Sequence, residues 1–299
     1  MPTLRDIKQR MNSVGRIGRI ANAMQIVSLN RLKKIEAVTL ESRFYSEKIK
    51  DIAFGVADNT IHQAHPLLKK RKIKSVIIMV ITSDKGLCGG FNNNVFKKFQ
   101  ELNSSLKDVK IKVISIGRKG VLFFRRRDAF EVLEEFDSYI SEDTLGNSTN
   151  ISRKVIDMFM KEDIDCLFAV CNKFRVHLLG KANVDQLLPL GAIREGAEKG
   201  RERKEKISAP SAITRVRDYI YEPSEGIVLD KLFREYLANQ IYQAILESNS
   251  AEEMSRMLAM KQAADNTKQL TKELNITYHK TRQSVITSEL LDIMAAFNL

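Results

Sequence analysis

From Ile227 to Leu299 apolar side chains return every three or four residues, and 73 consecutive positions pass without a glycine or a proline. Leu229, Phe233, Leu237, Ile241, Ala244, Ala251 and Leu258 open the series. Leu270, Leu274, Tyr278, Val285, Leu290 and Ile293 continue it. That spacing predicts one stripe on one long helix, because 3.6 residues make a turn and no helix breaker interrupts the run. At 1.5 Å per residue the helix would reach about 110 Å, more than a compact domain can use. Its apolar face needs another helix. Ser224 stands where an N-cap is expected.

Residues 3–57 predict the mate. Leu4, Ile7, Met11 and Val14 begin a stripe that drifts through Ile17, Ala21, Met24 and Ser28 to Leu32 and Ile35. A drift is expected when 3.6 residues per turn are read against a seven-residue repeat. Gly15 and Gly18 weaken this helix by roughly 1 kcal/mol each against alanine, although small residues also let helices approach closely. Ser42, Gly55 and Asp58-Asn59-Thr60 predict fraying toward its end. At a length of about 80 Å it suits antiparallel pairing with much of the C-terminal helix.

Between these helices the pattern changes period. Val76 to Thr82 is a continuous apolar run, the mark of a strand covered on both faces. A turn at Ser83–Gly90 follows, then a helix from Phe91 to Leu102. Lys112–Ile116 predicts a second strand, Ile151–Lys161 another helix and Cys166–Cys171 a third strand. Strand alternating with helix predicts a small, Rossmann-like α/β domain with a largely parallel sheet. Arg194–Lys206 reads as a surface connection, and Tyr219–Pro223 as the lead into the last helix. The fold class is therefore α/β, with a long antiparallel coiled coil of N- and C-terminal helices. The expected division is 1–58, 74–206 and 224–299.

Charge changes the picture only at the N-terminus. Of the net +12, residues 1–74 carry +10, from 16 Lys/Arg against 6 Asp/Glu, while residues 226–299 carry −1. A basic arm implies an acidic partner, either nucleic acid or an acidic protein surface. The cluster Lys69-Lys70-Arg71-Lys72 has no interleaved aromatics and reads as a solvated linker. No apolar run approaches the ~18 residues of a membrane span, and a start that is polar from Thr3 onward predicts neither signal nor transit peptide. Cys88, Cys166 and Cys171 lie in apolar or glycine-rich segments without disulfide or metal spacing, so buried thiols are expected.

No catalytic set emerges. The turn after the first strand, Gly86-Leu87-Cys88-Gly89-Gly90-Phe91, lacks the lysine that a phosphate-cradling P-loop needs after its last glycine. The dinucleotide spacing Gly-x-Gly-x-x-Gly is absent too. His62 and His65 have no further metal ligands in view, and no HExxH or GxSxG occurs. No cofactor, metal or catalytic residue is expected.

Several segments resemble one family. Ile81-Thr82-Ser83-Asp84-Lys85-Gly86-Leu87-Cys88-Gly89-Gly90-Phe91-Asn92 is similar to the hallmark turn of ATP synthase gamma subunits, and so is Met257–Asn266. Tyr278–Leu290 resembles the family's closing signature, while Asn22-Ala23-Met24 and Tyr219–Pro223 match as well. The likeness runs through the whole chain in order. It implies the central rotor shaft of a bacterial-type F-type ATP synthase, which couples proton-driven rotation of the membrane c-ring to conformational cycling of the catalytic beta subunits.

The implied partners are the alpha and beta subunits of the head, the epsilon subunit and the c-ring. The implied location is peripheral, on the cytoplasmic face of the bacterial plasma (inner) membrane. By resemblance Met24, with Arg31, Lys33 and Lys34 just beyond it, lies near an acidic loop of beta. Arg256, Arg282, Gln283, Thr287 and Glu289 match positions that contact beta or brace the shaft.

The chain departs from the family at Gly15-Arg16, Ala21, Asn30-Arg31 and the tail Ala295–Leu299. These departures bear on contact details. The regulatory cysteine insert of chloroplast members is not apparent, so no thiol switch is expected. Two alternatives remain distinct. A nucleic-acid-binding basic coiled coil would need base-stacking aromatics or a groove-reading motif, and a nucleotide-dependent enzyme on the α/β domain would bind nucleotide by itself.

Overall fold

The computed structural model describes residues 3–59, 65–106, 109–127, 130–136, 144–174, 181–191 and 222–297. The expected connection at 194–206, the lead-in at 219–221 and His62 lie outside the described residues. The elements in order are α1 (Leu4–Asn59), a 3₁₀ turn (Pro66–Leu68), β1 (Ser75–Ile81), α2 (Phe91–Ser105), β2 (Lys110–Ile116) and α3 (Arg118–Arg125). They continue with β3 (Glu131–Phe136), α4 (Thr144–Met160), β4 (Cys166–Asn172), β5 (Ala182–Leu188) and α5 (Glu225–Phe297). Two compact units share the helices α1 and α5. One holds residues 1–31 and 256–299, the other residues 32–255.

The larger unit is built on a five-stranded sheet of order β3-β2-β1-β4-β5, with β5 alone antiparallel. Strand β1 sits at its centre because both of its faces are apolar. Val76, Ile78 and Val80 pack with Val95 and Phe99 of α2 and Phe124 of α3. Ile77, Met79 and Ile81 face the other side, toward Ile151, Val155 and Phe159 of α4. The same cluster takes in Ile49, Ala53 and Val56 of α1 and Phe233, Tyr236, Leu237 and Ile241 of α5. Each such side chain, fully buried, contributes about 1.5–3 kcal/mol, so the sheet fixes where these two helices lie within the unit. The early end of α5 is apolar on several sides for this reason.

Above this cluster α1 and α5 run antiparallel, and their seam turns polar. Thr39 Oγ1 meets Ser250 Oγ at 3.1 Å, and Gln240 Nε2 donates to Ser46 Oγ at 2.7 Å. Arg43 donates through Nε to Glu247 at 3.1 Å and through Nη2 to the Phe174 carbonyl at 3.2 Å, tying helix pair and sheet together. Polar seam residues of this kind fix register at some cost in stability.

In the smaller unit the seam is a strict heptad. Ile7, Val14, Ala21 and Ser28 are buried, with Gly18 half-buried between them. The expected drift is thus absent: an under-wound pair keeps 3.5 residues per turn and holds one stripe against its mate. Ile17, placed in the stripe by its apolarity, is 55% exposed. Its neighbour Gly18 takes the seam because a Cβ there would lie 2.7 Å from Thr267 Oγ1, and that hydroxyl is fixed by its bond to the Ala264 carbonyl. Ala21, Met260 and Ala264 form the adjoining core. Helix α1 runs unbroken to Asn59, so the fraying expected at Ser42 and Gly55 does not occur. Ser42 is buried in the seam instead.

His65 joins the 3₁₀ turn to α5 inside the larger unit. Its Nδ1 accepts from the Leu67 N–H at 3.3 Å, its Nε2 lies 3.4 Å from Asp230 Oδ1, and its ring meets Phe233 edge-on at 5.0 Å. An accepting Nδ1 requires the neutral ring. Burial accordingly pushes the imidazole pKa below 6.5, outweighing the opposing pull of Asp230, with Arg234 adding to the depression. The unfolded chain takes up this proton first, so the contribution is complete above about pH 6.5 and shrinks as pH falls through the depressed folded value. Urea midpoints between pH 7.5 and 5 should fall for the wild type, and His65→Gln should flatten that slope. An unchanged slope in the variant would assign the acid sensitivity elsewhere.

Candidate partner-contact surfaces

An open α/β sheet offers its ligand crevice at the carboxyl ends of the strands where strand order reverses. Here that place lies between β1 and β4, and the chain fills it. The turn after β1 closes on itself: the Ser83 N–H donates to Asn92 Oδ1 at 3.0 Å, Asn92 Nδ2 donates to Ser83 Oγ at 2.7 Å, and Ser83 Oγ donates to the Lys85 carbonyl at 2.8 Å. From β4, Asn172 Nδ2 donates to the Phe91 carbonyl at 3.1 Å. Cys88 and Phe91 pack against Ala251 of α5. The glycine-rich turn is therefore a docking point for the long helix, built from left-handed backbone at Leu87 and Gly89. All three cysteines are buried free thiols. Burial pushes Cys166 up to about 11 and Cys171 higher still, which leaves neither as a thiolate at neutral pH.

The contact residues expected from the sequence occupy four places. Met24 is half-buried against the Ala21, Met260 and Ala264 cluster. Arg31, Lys33 and Lys34 are exposed on α1. Arg256 is only 5% exposed, and Arg282, Gln283, Thr287 and Glu289 are exposed near the end of α5. Thr287 Oγ1 donates back to the Gln283 carbonyl at 2.9 Å.

The last four share a physical reason for their exposure. Counting antiparallel from the Gly18–Thr267 approach, the first helical residue of α1, Leu4, falls opposite Thr281. Every side chain described beyond Thr281, to Met294, is exposed. Val285, Leu290 and Ile293, which continue the apolar stripe in the sequence, therefore have no mate among the described residues, being 37%, 55% and 52% exposed. Ile286, Leu291 and Met294 are exposed beside them.

A second apolar stripe, of which the sequence pattern places Ile17 and Met24 in the seam itself, lies beside the first. Ile17, Ile20, Met24 and Val27 follow the same three-and-four spacing one step around α1 from the seam, and Ile17, Ile20 and Val27 are exposed. Val38, Tyr45 and Ile52 repeat at sevens on the exposed side of α1 in the larger unit. The signal was available: two adjacent apolar stripes are wider than a two-helix seam needs. Apolar surface of this extent marks a place where another molecule sits.

Comparison with known proteins matches this arrangement over its whole length. The family model described as ATP synthase covers residues 3–298. The ATP synthase gamma chain of Fusobacterium nucleatum is 34% identical over 296 residues, spanning 98% of both chains. That of Chloroherpeton thalassium is 31% identical over 307 residues, spanning 100% of this chain and 98% of the relative. The fold is shared with a rotor chain of the Euglena gracilis mitochondrial ATP synthase, with TM-score 0.61, 17% identity and coverage of 95% and 98%. It is also shared with a central stalk chain of the Tetrahymena thermophila mitochondrial enzyme, with TM-score 0.58, 20% identity and coverage of 82% and 99%. Matched by the family model over residues 3–298 and by relatives over 30% identical along its whole length, the chain belongs to the ATP synthase gamma chain family.

Proposed function

We propose that the chain is the central rotor shaft of an F-type ATP synthase, a non-catalytic subunit that couples proton-driven rotation of the c-ring to the conformational cycle of the beta subunits. The observation that carries this reading is the unaccompanied end of α5, where Leu290, Leu291, Ile293 and Met294 are 52–61% exposed. Such an end needs a sleeve, and a ring of alpha and beta subunits supplies one. In this reading the helices of 1–58 and 224–299 form the shaft. The α/β domain of 74–206 bears on epsilon and the c-ring. Residues of the shaft touch beta in turn, Met24, Arg31, Lys33 and Lys34 along α1 and Arg282, Gln283, Thr287 and Glu289 at the tip, while buried Arg256 braces the helix pair. The chain would lie peripherally on the cytoplasmic face of a bacterial plasma membrane; no helix among the described residues is long and apolar enough to cross one. Co-expression with alpha and beta subunits tests the reading. A stable complex with rotation-coupled ATPase is expected, and a chain that purifies alone or on duplex DNA at physiological salt would refute it.

The tip gives a sharper test. Arg282→Ala with Gln283→Ala removes charge-assisted bonds to beta, each contributing about 1.5–3 kcal/mol where water is excluded. The double variant should assemble poorly or turn over at least tenfold more slowly. Its isolated fold should be unaffected, because both side chains are exposed in the chain. Wild-type ATPase rate and complex stability would make them bystanders.

A further inference from the structure

A recess of about 190 Å³ lies between α4 and the early turns of α5, wholly within the larger unit. Thr149, Ser152 and Arg153 line it from α4, and Lys231, Arg234 and Glu235 from α5. Three cations face one carboxylate in the lining, and Asp230, paired with Arg234, leaves a formal excess of one positive charge. Arg234 Nε is engaged by Asp230 at 2.7 Å, which aligns the guanidinium and leaves its terminal N–H groups. Among the described residues Arg153 and Lys231 make no ion pair. The hydroxyls differ in a telling way. Ser148 and Thr149 donate to the Leu145 carbonyl at 2.8 and 3.0 Å, as helical hydroxyls commonly do. Ser152 does not. It is 2% exposed, lines the recess, and has no hydrogen-bond partner among the described residues. A hydroxyl that opens only into such a recess is completed there by water or by a ligand.

We propose that this recess binds a phosphate group. Guanidinium and ammonium donors together with a hydroxyl suit an oxyanion with oxygens in several directions, and the excess positive charge that remains after the Asp230–Arg234 pair favours an anion. Glu235 can accept from a protonated phosphate oxygen. Ile156 and Ala238 give one side an apolar wall, which leaves room for the first atoms of an ester. The group can come from free inorganic phosphate or from a phospholipid headgroup, and the two sources separate by experiment.

The test uses the full chain at constant ionic strength. Saturable broadening of the inorganic phosphate ³¹P signal reads the free source. Co-sedimentation with phosphatidylglycerol/phosphatidylcholine vesicles, against phosphatidylcholine alone, reads the lipid source. Arg153→Gln with Lys231→Gln should weaken whichever binding occurs by about tenfold or more, and Ser152→Ala should weaken it several-fold. Both cations sit at the surface, so the double variant should melt like the wild type and carries the test even if Ser152→Ala folds poorly. Saturable binding of inorganic phosphate lost in the variants identifies the free ion, and binding confined to anionic vesicles identifies the headgroup. No saturable binding to either probe, or binding unchanged in the double variant, overturns the proposal. Binding by the chain alone does not depend on its role in a rotor.

Discussion

Gly117→Ala should destabilise the α/β layer by about 3–5 kcal/mol, a large part of the stability of an ordinary domain. Gly117 has φ +93°, where a Cβ is strained in any case, and that Cβ would lie 2.1 Å from the Thr82 carbonyl oxygen and 2.7 Å from its carbon. The backbone cannot step aside. The Thr82 N–H donates to Ile116 O at 2.8 Å, the Gly117 N–H to Phe136 O at 2.7 Å, and the Gly120 N–H to Thr82 Oγ1 at 2.8 Å, so strands β1, β2 and β3 and the start of α3 meet at this point. Gly15→Ala is the matched control. Nothing lies within 4 Å of a Cβ there, and alanine should raise helix stability by up to about 1 kcal/mol. Urea unfolding of both variants checks the pair. Equal effects would mean that the close approach at Gly117 relaxes.

The same contrast explains how much of the fold the sequence pattern exposes. Strands β1 and β4 are central and buried on both faces, so VIIMVI and CLFAVC stand out as unbroken apolar runs. Strands β3 and β5 escaped because edge strands carry charge: EVLEEF alternates poorly, and its Glu131 pairs with Lys110 at 3.0 Å. Helix α3, RKGVLFFR, looks like a basic loop until its glycine is seen buried. At the seam, apolarity favours Ile17 while packing distance selects Gly18, and only distance decides. The tip is the sharpest case. Val285, Leu290 and Ile293 keep the spacing of the stripe, and spacing says that a partner exists without saying whether it belongs to the same chain. The recess between α4 and α5 was not legible at all, since it depends on two helices about 80 residues apart in sequence being neighbours.

Arg31→Glu, Lys33→Glu and Lys34→Glu together should lower proton-driven ATP synthesis per assembled complex by about tenfold at low salt, while the matching alanine triple should lose about twofold. All three residues are exposed on α1, in the stretch that carries +10 over residues 1–74. If they face an acidic loop of beta, the wild type makes contacts that are individually weak and can break and re-form as the shaft turns. Alanine removes that weak attraction. Glutamate replaces it with repulsion at each stopping position, a change of six charge units. The complex should still assemble, because the apolar flank of Ile17, Ile20 and Val27 and the bare tip of α5 are untouched. Salt then identifies the cause. Exposed charges are screened over about 8–10 Å at physiological ionic strength, so the Glu triple should recover part of its activity as salt rises, and the Ala triple should hardly respond. Equal synthesis in both triples and the wild type would show that the basic arm serves solubility, and that the shaft engages beta through its apolar surfaces alone.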